Sequence, residues 1–271
     1  MFGFEDWAAR LIPTFAGLVT ILATYLYGTR ALGHQASRLG TNVLILSLGF
    51  LYCSRFLVLD GLLTMFVTLS LYCAHLSIAD RRFHRGYWAG AAVTCGLGLL
   101  TKGPVAMVLL LPPLVAYAWI SDRLRLLTFR RWVGFLAIVA VIAGPWFAVL
   151  LSRNPEFARH FFWDHNIRRF FAGSFHERPI WYYVPVLFLG GMPWALLMIP
   201  LAGFLFRRGE ADRSQRPEAL GFLLLAASWC VAFFSISKGS YPVHPARRPA
   251  ARTDGRLPDR PDLLAVLADH Q

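Results

Sequence analysis

The chain holds two lysines among its 27 Lys and Arg residues, Lys102 in LLTKGPVA and Lys238 in SISKGSYP, and a glycine follows each of them. An ammonium group next to a residue with no Cβ, where a ligand can approach the backbone, suits the binding of an anion. The plainer reading of either lysine alone is a snorkelling anchor at a helix end. Asp60, in RFLVLDGLLTMF, lies at the boundary of two apolar runs. It is either the N-cap of the following helix or a carboxylate held at membrane depth beside cations, where ionisable groups mark function. A long polar interruption, SRNPEFARHFFWDHNIRRFFAGSFHERPIW at 152–181, gathers His160, His165, His176, Arg168 and Arg169 among Phe and Trp residues. On a short amphipathic helix, His165 and Arg169 share the face opposite the aromatics. An interfacial anchor without chemistry is the alternative. The three histidines have no metal-ligand spacing of their own.

The elements that must position these groups are apolar. Hydrophobic residues make up 56% of the 271 and charged residues 15%, with a mean hydropathy of +0.50, a profile of polytopic membrane proteins rather than soluble domains. Eight runs approach the 17–25 residues that a spanning helix needs: 11–29, 41–58, 60–79, 87–101, 103–120, 133–151, 182–206 and 218–236. The predicted fold is therefore all-α and polytopic, with about eight transmembrane helices and a partly helical outward loop at 152–181. Cys53, Cys73, Cys95 and Cys230 lie within apolar runs and read as packing residues. The net charge of +12 is explained by loops and lipid head groups, which argues against a nucleic-acid partner. MFGFEDWAARLIP lacks the pattern of a cleaved secretory signal.

Arginines follow alternate runs, at Arg30 and Arg38, at Arg81, Arg82 and Arg85, at Arg123, Arg125, Arg130 and Arg131, and at Arg207, Arg208, Arg213 and Arg216. The positive-inside rule makes these loops cytoplasmic. Asp60, Lys102, the 152–181 loop and Lys238 then face outward. After residue 240 the chain turns rich in Pro and Arg, and 241–271 reads as a disordered tail.

Several stretches resemble the GT-C polytopic glycosyltransferases of the aminoarabinose transferase (ArnT) and protein O-mannosyltransferase-like group. They are Ala9-Arg10-Leu11-Ile12-Pro13, Asp60 at a helix start, Thr101-Lys102-Gly103-Pro104, Gly144-Pro145-Trp146-Phe147, Phe162 to Phe170, Arg178 to Tyr183, Pro193-Trp194 and Ser237-Lys238. The resemblance covers about residues 4–240. It implies an inner-membrane enzyme that moves a sugar, such as 4-amino-4-deoxy-L-arabinose or another pentose or hexose, from a polyprenyl-phosphate carrier. The acceptor would be lipid A, a glycan or a protein on the periplasmic side. By resemblance Asp60 matches an acidic residue of the active site, beside a main catalytic carboxylate that the family carries in its first outward loop. Lys102 and Arg169, or Arg168 in its place, match phosphate-binding positions, to which the paired-lysine pattern adds Lys238, and His165 stands near the position of a divalent-metal ligand.

Family members begin with a further helix and an acidic outward loop, and continue beyond the Ser-Lys motif with an apolar, Leu- and Pro-rich segment. The chain is therefore expected to be a truncated or frame-shifted form, with a partial transferase domain at 1–240. A transporter or flippase gripping an anionic lipid head group, or an inactive fragment of the transferase, are the rival readings.

Overall fold

The computed structural model describes residues 6–55, 59–153, 182–206 and 217–236. These form ten α-helices and no strand: α1 Asp6–Ala31, α2 His34–Ile45, α3 Leu48–Arg55, α4 Leu59–Leu76, α5 Arg85–Lys102, α6 Val105–Ile120, α7 Phe129–Arg153, α8 Tyr183–Gly190, α9 Met198–Phe206 and α10 Glu218–Ile236. Among the described residues each apolar run expected from the sequence overlaps helix, but eight straight spans do not result. Four helices are long and apolar enough to cross a bilayer, namely α1 from Leu11, α4, α7 and α10. Two further segments are broken, α2 with α3 bent by 61° and α8 with Trp194–Phe204 bent by 110°. Helix α6, with 16 residues, rises only about 24 Å against a hydrocarbon core of about 30 Å.

Helix α5 is central, and its composition reflects that. It packs on α4 and α7, and small residues let those neighbours come close, which is how helices associate where lipid supplies no hydrophobic drive. A Cβ on Gly96 would stand 3.2 Å from Ile142 of α7, and one on Gly98 would stand 2.9 Å from Ala106 Cβ and 3.4 Å from Phe66 Cβ. The buried Ser70 hydroxyl of α4 donates to the Ala91 carbonyl of α5 over 2.9 Å. On the far side Trp88 Nε1 donates to the Arg131 carbonyl over 3.0 Å, tying α5 to the start of α7. Around this seam Leu110, Leu114, Phe135 and Phe222 are fully buried. On the periphery Phe15 and Val141 are 64% and 74% exposed, as suits side chains facing acyl chains.

The two broken segments meet at their breaks. Ser47 ends α2 by donating its hydroxyl to the Val43 carbonyl over 2.6 Å, and its own carbonyl accepts the Leu51 N–H over 3.0 Å to begin α3. Leu48 N–H donates to the Met192 carbonyl over 3.3 Å. Alongside, the bare backbones of Gly49 and Gly190 approach so closely that a Cβ on Gly49 would lie 3.1 Å from Gly190 Cα. Irregular backbone at membrane depth is tolerated where protein covers it, and here each break covers the other.

Candidate functional site

Asp60 lies in the first turn of α4 and Lys102 in the last turn of α5. The two helices run antiparallel, so the carboxylate sits at the positive end of one helix dipole and the ammonium at the negative end of the other, both favourable placements. Lys102 Nζ donates to Asp60 Oδ1. Both side chains are about half-exposed, at 49% and 50%, so the pair meets solvent or ligand on one side. Asp60 stands inside the helix rather than at its N-cap; its carbonyl accepts the Thr64 hydroxyl over 2.8 Å.

Local backbone chemistry sets the lysine. Gly103 has φ +73° and ψ −151° and its N–H returns to the Leu99 carbonyl over 2.9 Å; a side chain at that positive φ would be strained. Pro104 then opens α6, its carbonyl accepting Met107 and Val108 N–H groups at 3.0 and 3.1 Å. One turn before Lys102, Gly98 allows α4, α5 and α6 to close together, which brings Lys102 within reach of Asp60.

At the opposite end is a polar cluster that the sequence reading counted only as loop arginine. Helix α6 ends in a Schellman motif, with Asp122 at φ +52° and N–H bonds from Asp122 to the Trp119 carbonyl and from Arg123 to the Ala118 carbonyl, 3.3 and 2.7 Å. This turn folds Arg123 back into the bundle, where it is 3% exposed. Its Nη1 donates to the Tyr117 hydroxyl over 2.8 Å and its Nη2 to Glu218 of α10. His75, 2% exposed in the last turn of α4, stacks on Phe222 with centroids 4.6 Å apart and pairs through Nδ1 with the Tyr27 hydroxyl of α1 over 3.1 Å. A buried histidine ending an apolar run, next to an arginine that follows another, was the available signal. From Asp60 to His75 α4 rises about 22 Å, so the two polar ends lie at opposite faces. The expected alternation of loops is thus borne out by contact: the ends of α1, α4 and α6 and the start of α10 meet at the arginine-rich end.

Arg168, Arg169, His165 and Lys238 lie outside the described residues, as do the 152–181 loop beyond Arg153 and the 241–271 tail. Among the described residues no group of three or more His, Cys, Asp or Glu comes together to hold a metal ion. Asp60 meets an ammonium group, and His165, the expected metal-ligand position, is not among the described residues.

Apolar helices that bring an acid and an amine together at one membrane face, with an arginine-rich end at the other, define a multi-pass membrane protein with a polar site at the bilayer surface. The profile of the dolichyl-phosphate-mannose-protein mannosyltransferases matches residues 1–148, and the chain belongs to that family. Among curated relatives, undecaprenyl phosphate-alpha-4-amino-4-deoxy-L-arabinose arabinosyl transferase 1 of Pseudomonas fluorescens (strain Pf0-1) is 34% identical over 251 residues, covering 90% of this chain and 42% of the relative. The transferase of Yersinia pestis (strain Pestoides F) is 31% identical over 253 residues, covering 90% and 44%. The crystal structure of ArnT from Cupriavidus metallidurans bound to undecaprenyl phosphate superposes with a TM-score of 0.75 at 26% identity, over 89% of this chain and 43% of that one. The chain thus spans about two fifths of the length of the relatives it matches, and the resemblance expected from its motifs holds over nine tenths of its own length.

Proposed function

We propose that this chain carries the donor-binding part of an inner-membrane glycosyltransferase that moves an aminoarabinose-like sugar from an undecaprenyl-phosphate carrier to lipid A on the periplasmic side. The observation that carries this reading is the Asp60–Lys102 pair within a fold shared with an undecaprenyl-phosphate-bound relative. In an inverting displacement the acceptor hydroxyl forms a bond to the anomeric carbon, the bond from that carbon to the carrier phosphate breaks, and the hydroxyl proton passes to a base. Asp60 takes that proton. Lys102, joined by Arg168, Arg169 and Lys238, holds the phosphate as charge builds on it. The ion pair is the resting arrangement: half-exposed, it can turn the ammonium toward an arriving phosphate while the carboxylate stays beside it.

The test is transfer of labelled sugar from an undecaprenyl-phosphate donor to lipid A by membranes containing the chain. Asp60→Asn lowers the rate by about 10²–10⁴-fold, the range of a general base. Lys102→Ala, which deletes a charge-assisted contact of about 1.5–3 kcal/mol, lowers it by about 10- to 150-fold. Undiminished transfer in both variants would remove the pair from the mechanism.

A further inference from the structure

At the arginine-rich end, α1, α4, α6 and α10 enclose a cavity of about 420 Å³, whose charged lining is Arg30, Asp80, Arg123 and Glu218. A second cavity of about 340 Å³ shares Tyr117, Arg123 and Glu218 with it and continues past Arg81, Ile120, Ser121, Gly221 and Leu225. We propose that these joined chambers bind one phospholipid with a zwitterionic headgroup, its phosphodiester on Arg30 and Arg123, its primary ammonium on Asp80 and Glu218, and the start of an acyl chain along Ile120 and Leu225.

Three observations converge on this occupant. First, the joined lining carries both signs, Arg30, Arg81 and Arg123 against Asp80 and Glu218. A ligand that is only anionic meets two carboxylates and one that is only cationic meets three guanidinium groups, whereas a zwitterion of phosphate and ammonium answers both signs. Second, two nearly fully buried groups in the lining have unspent hydrogen-bonding capacity: Arg123 Nε and His75 Nε2 have no partner, although Arg123 and His75 are only 3% and 2% exposed. Buried polar groups are normally satisfied, and leaving one unpaired costs about 1–3 kcal/mol. When His75 Nδ1 accepts from the Tyr27 hydroxyl, the ring proton is on Nε2, so both orphans are donors lacking an acceptor, the group that a phosphate supplies. Third, the polar chamber lies about 22 Å along α4 from Asp60, at the headgroup level of the opposite leaflet, and it continues into a second one that adds the apolar Ile120 and Leu225. A soluble zwitterion has no use for Ile120 and Leu225; a lipid does.

A primary ammonium donates hydrogen bonds to carboxylates and a quaternary one does not, so the ethanolamine headgroup is preferred over choline. The experiment is native mass spectrometry of the purified chain titrated with phosphatidylethanolamine, phosphatidylcholine and phosphatidylglycerol of matched acyl chains, and with water-soluble glycerophosphoethanolamine. Phosphatidylethanolamine binds at least about tenfold more tightly than the other three, the weight of one charge-assisted contact. The exposed Asp80→Asn removes the preference over phosphatidylglycerol while leaving that lipid bound as before; the exposed Arg30→Gln weakens all three lipids alike. Equal binding of the three lipids by the unmodified chain, or an ethanolamine preference untouched by both substitutions, overturns the proposal. Binding of the soluble headgroup as tightly as the lipid overturns the assignment to a lipid.

Discussion

Replacing Gly98 with alanine tests how tightly the outer site is built. The added Cβ would lie 2.9 Å from Ala106 Cβ and 3.4 Å from Phe66 Cβ. Non-bonded carbons settle at about 3.5–4.0 Å, so α6 must withdraw from α5 by somewhat under 1 Å, and Ala106 Cβ, fixed to the backbone, cannot swing aside. Overpacking of this kind costs about 1–3 kcal/mol, and exchanging glycine for alanine within a helix returns about 0.5–1 kcal/mol, leaving a net loss of up to about 2.5 kcal/mol. Because position 98 is four residues before Lys102, both project from one face of α5, and the displacement carries the ammonium away from Asp60. Unfolding by detergent titration, followed by circular dichroism, should show Gly98→Ala destabilised. In combination with Ala106→Gly, which removes the opposing methyl, part of the loss returns, with a coupling of about 1–2 kcal/mol across the double-mutant cycle. Unchanged stability in Gly98→Ala, or strictly additive effects in the cycle, would refute the close-packing account.

Other outcomes follow from the same geometry. The half-exposed Asp60–Lys102 pair contributes at most about 1 kcal/mol to folding, so Asp60→Asn should leave the detergent unfolding midpoint nearly unchanged while it slows transfer; a large shift in that midpoint would mark the pair as structural. The Arg123–Glu218 pair is asymmetric, with side chains 3% and 69% exposed. Removing the acid leaves the buried cation with one partner fewer at its solvent-facing end, so Glu218→Ala should cost about 1–3 kcal/mol, and Arg123→Met, which fills the space without a charge, should cost less; the reverse order in unfolding titrations would contradict this. Ser70→Ala removes the hydroxyl bond to the Ala91 carbonyl and should cost about 0.6–1.7 kcal/mol, the range for hydrogen bonds between membrane helices, as measured by the same titration.

Much of the architecture was legible because apolar length and arginine placement are strong signals in a membrane chain. The run at 218–236 coincides with α10, and the short gap at Lys102-Gly103 marks the reversal between α5 and α6. The outer site was legible by parity: Asp60 and Lys102 each stand at an outward helix end, and an alternating topology leaves them no other face. The break between α2 and α3 was not, because Leu46-Ser47 carries neither proline nor glycine, and the bend depends on a backbone bond to residue 192. The inner cluster escaped for a similar reason. In sequence Arg123 resembles its exposed neighbour Arg125, and only the turn at Asp122 sends one into the bundle while the other stays in water.

The touching breaks at Leu48 and Met192 bear on the order in which the chain is built. A ribosome delivers residue 48 to the bilayer long before residue 192 exists, so the Leu48 N–H waits without its acceptor while α4 to α7 are made. Until α8 arrives, the early segment is a helix interrupted in hydrocarbon, packed mainly on α1 and open to slippage or to quality-control proteases. Release of a nascent chain before that arrival should leave the first 55 residues markedly easier to digest than in the finished protein, while α4 and α5, which satisfy one another as neighbours, are protected from the start.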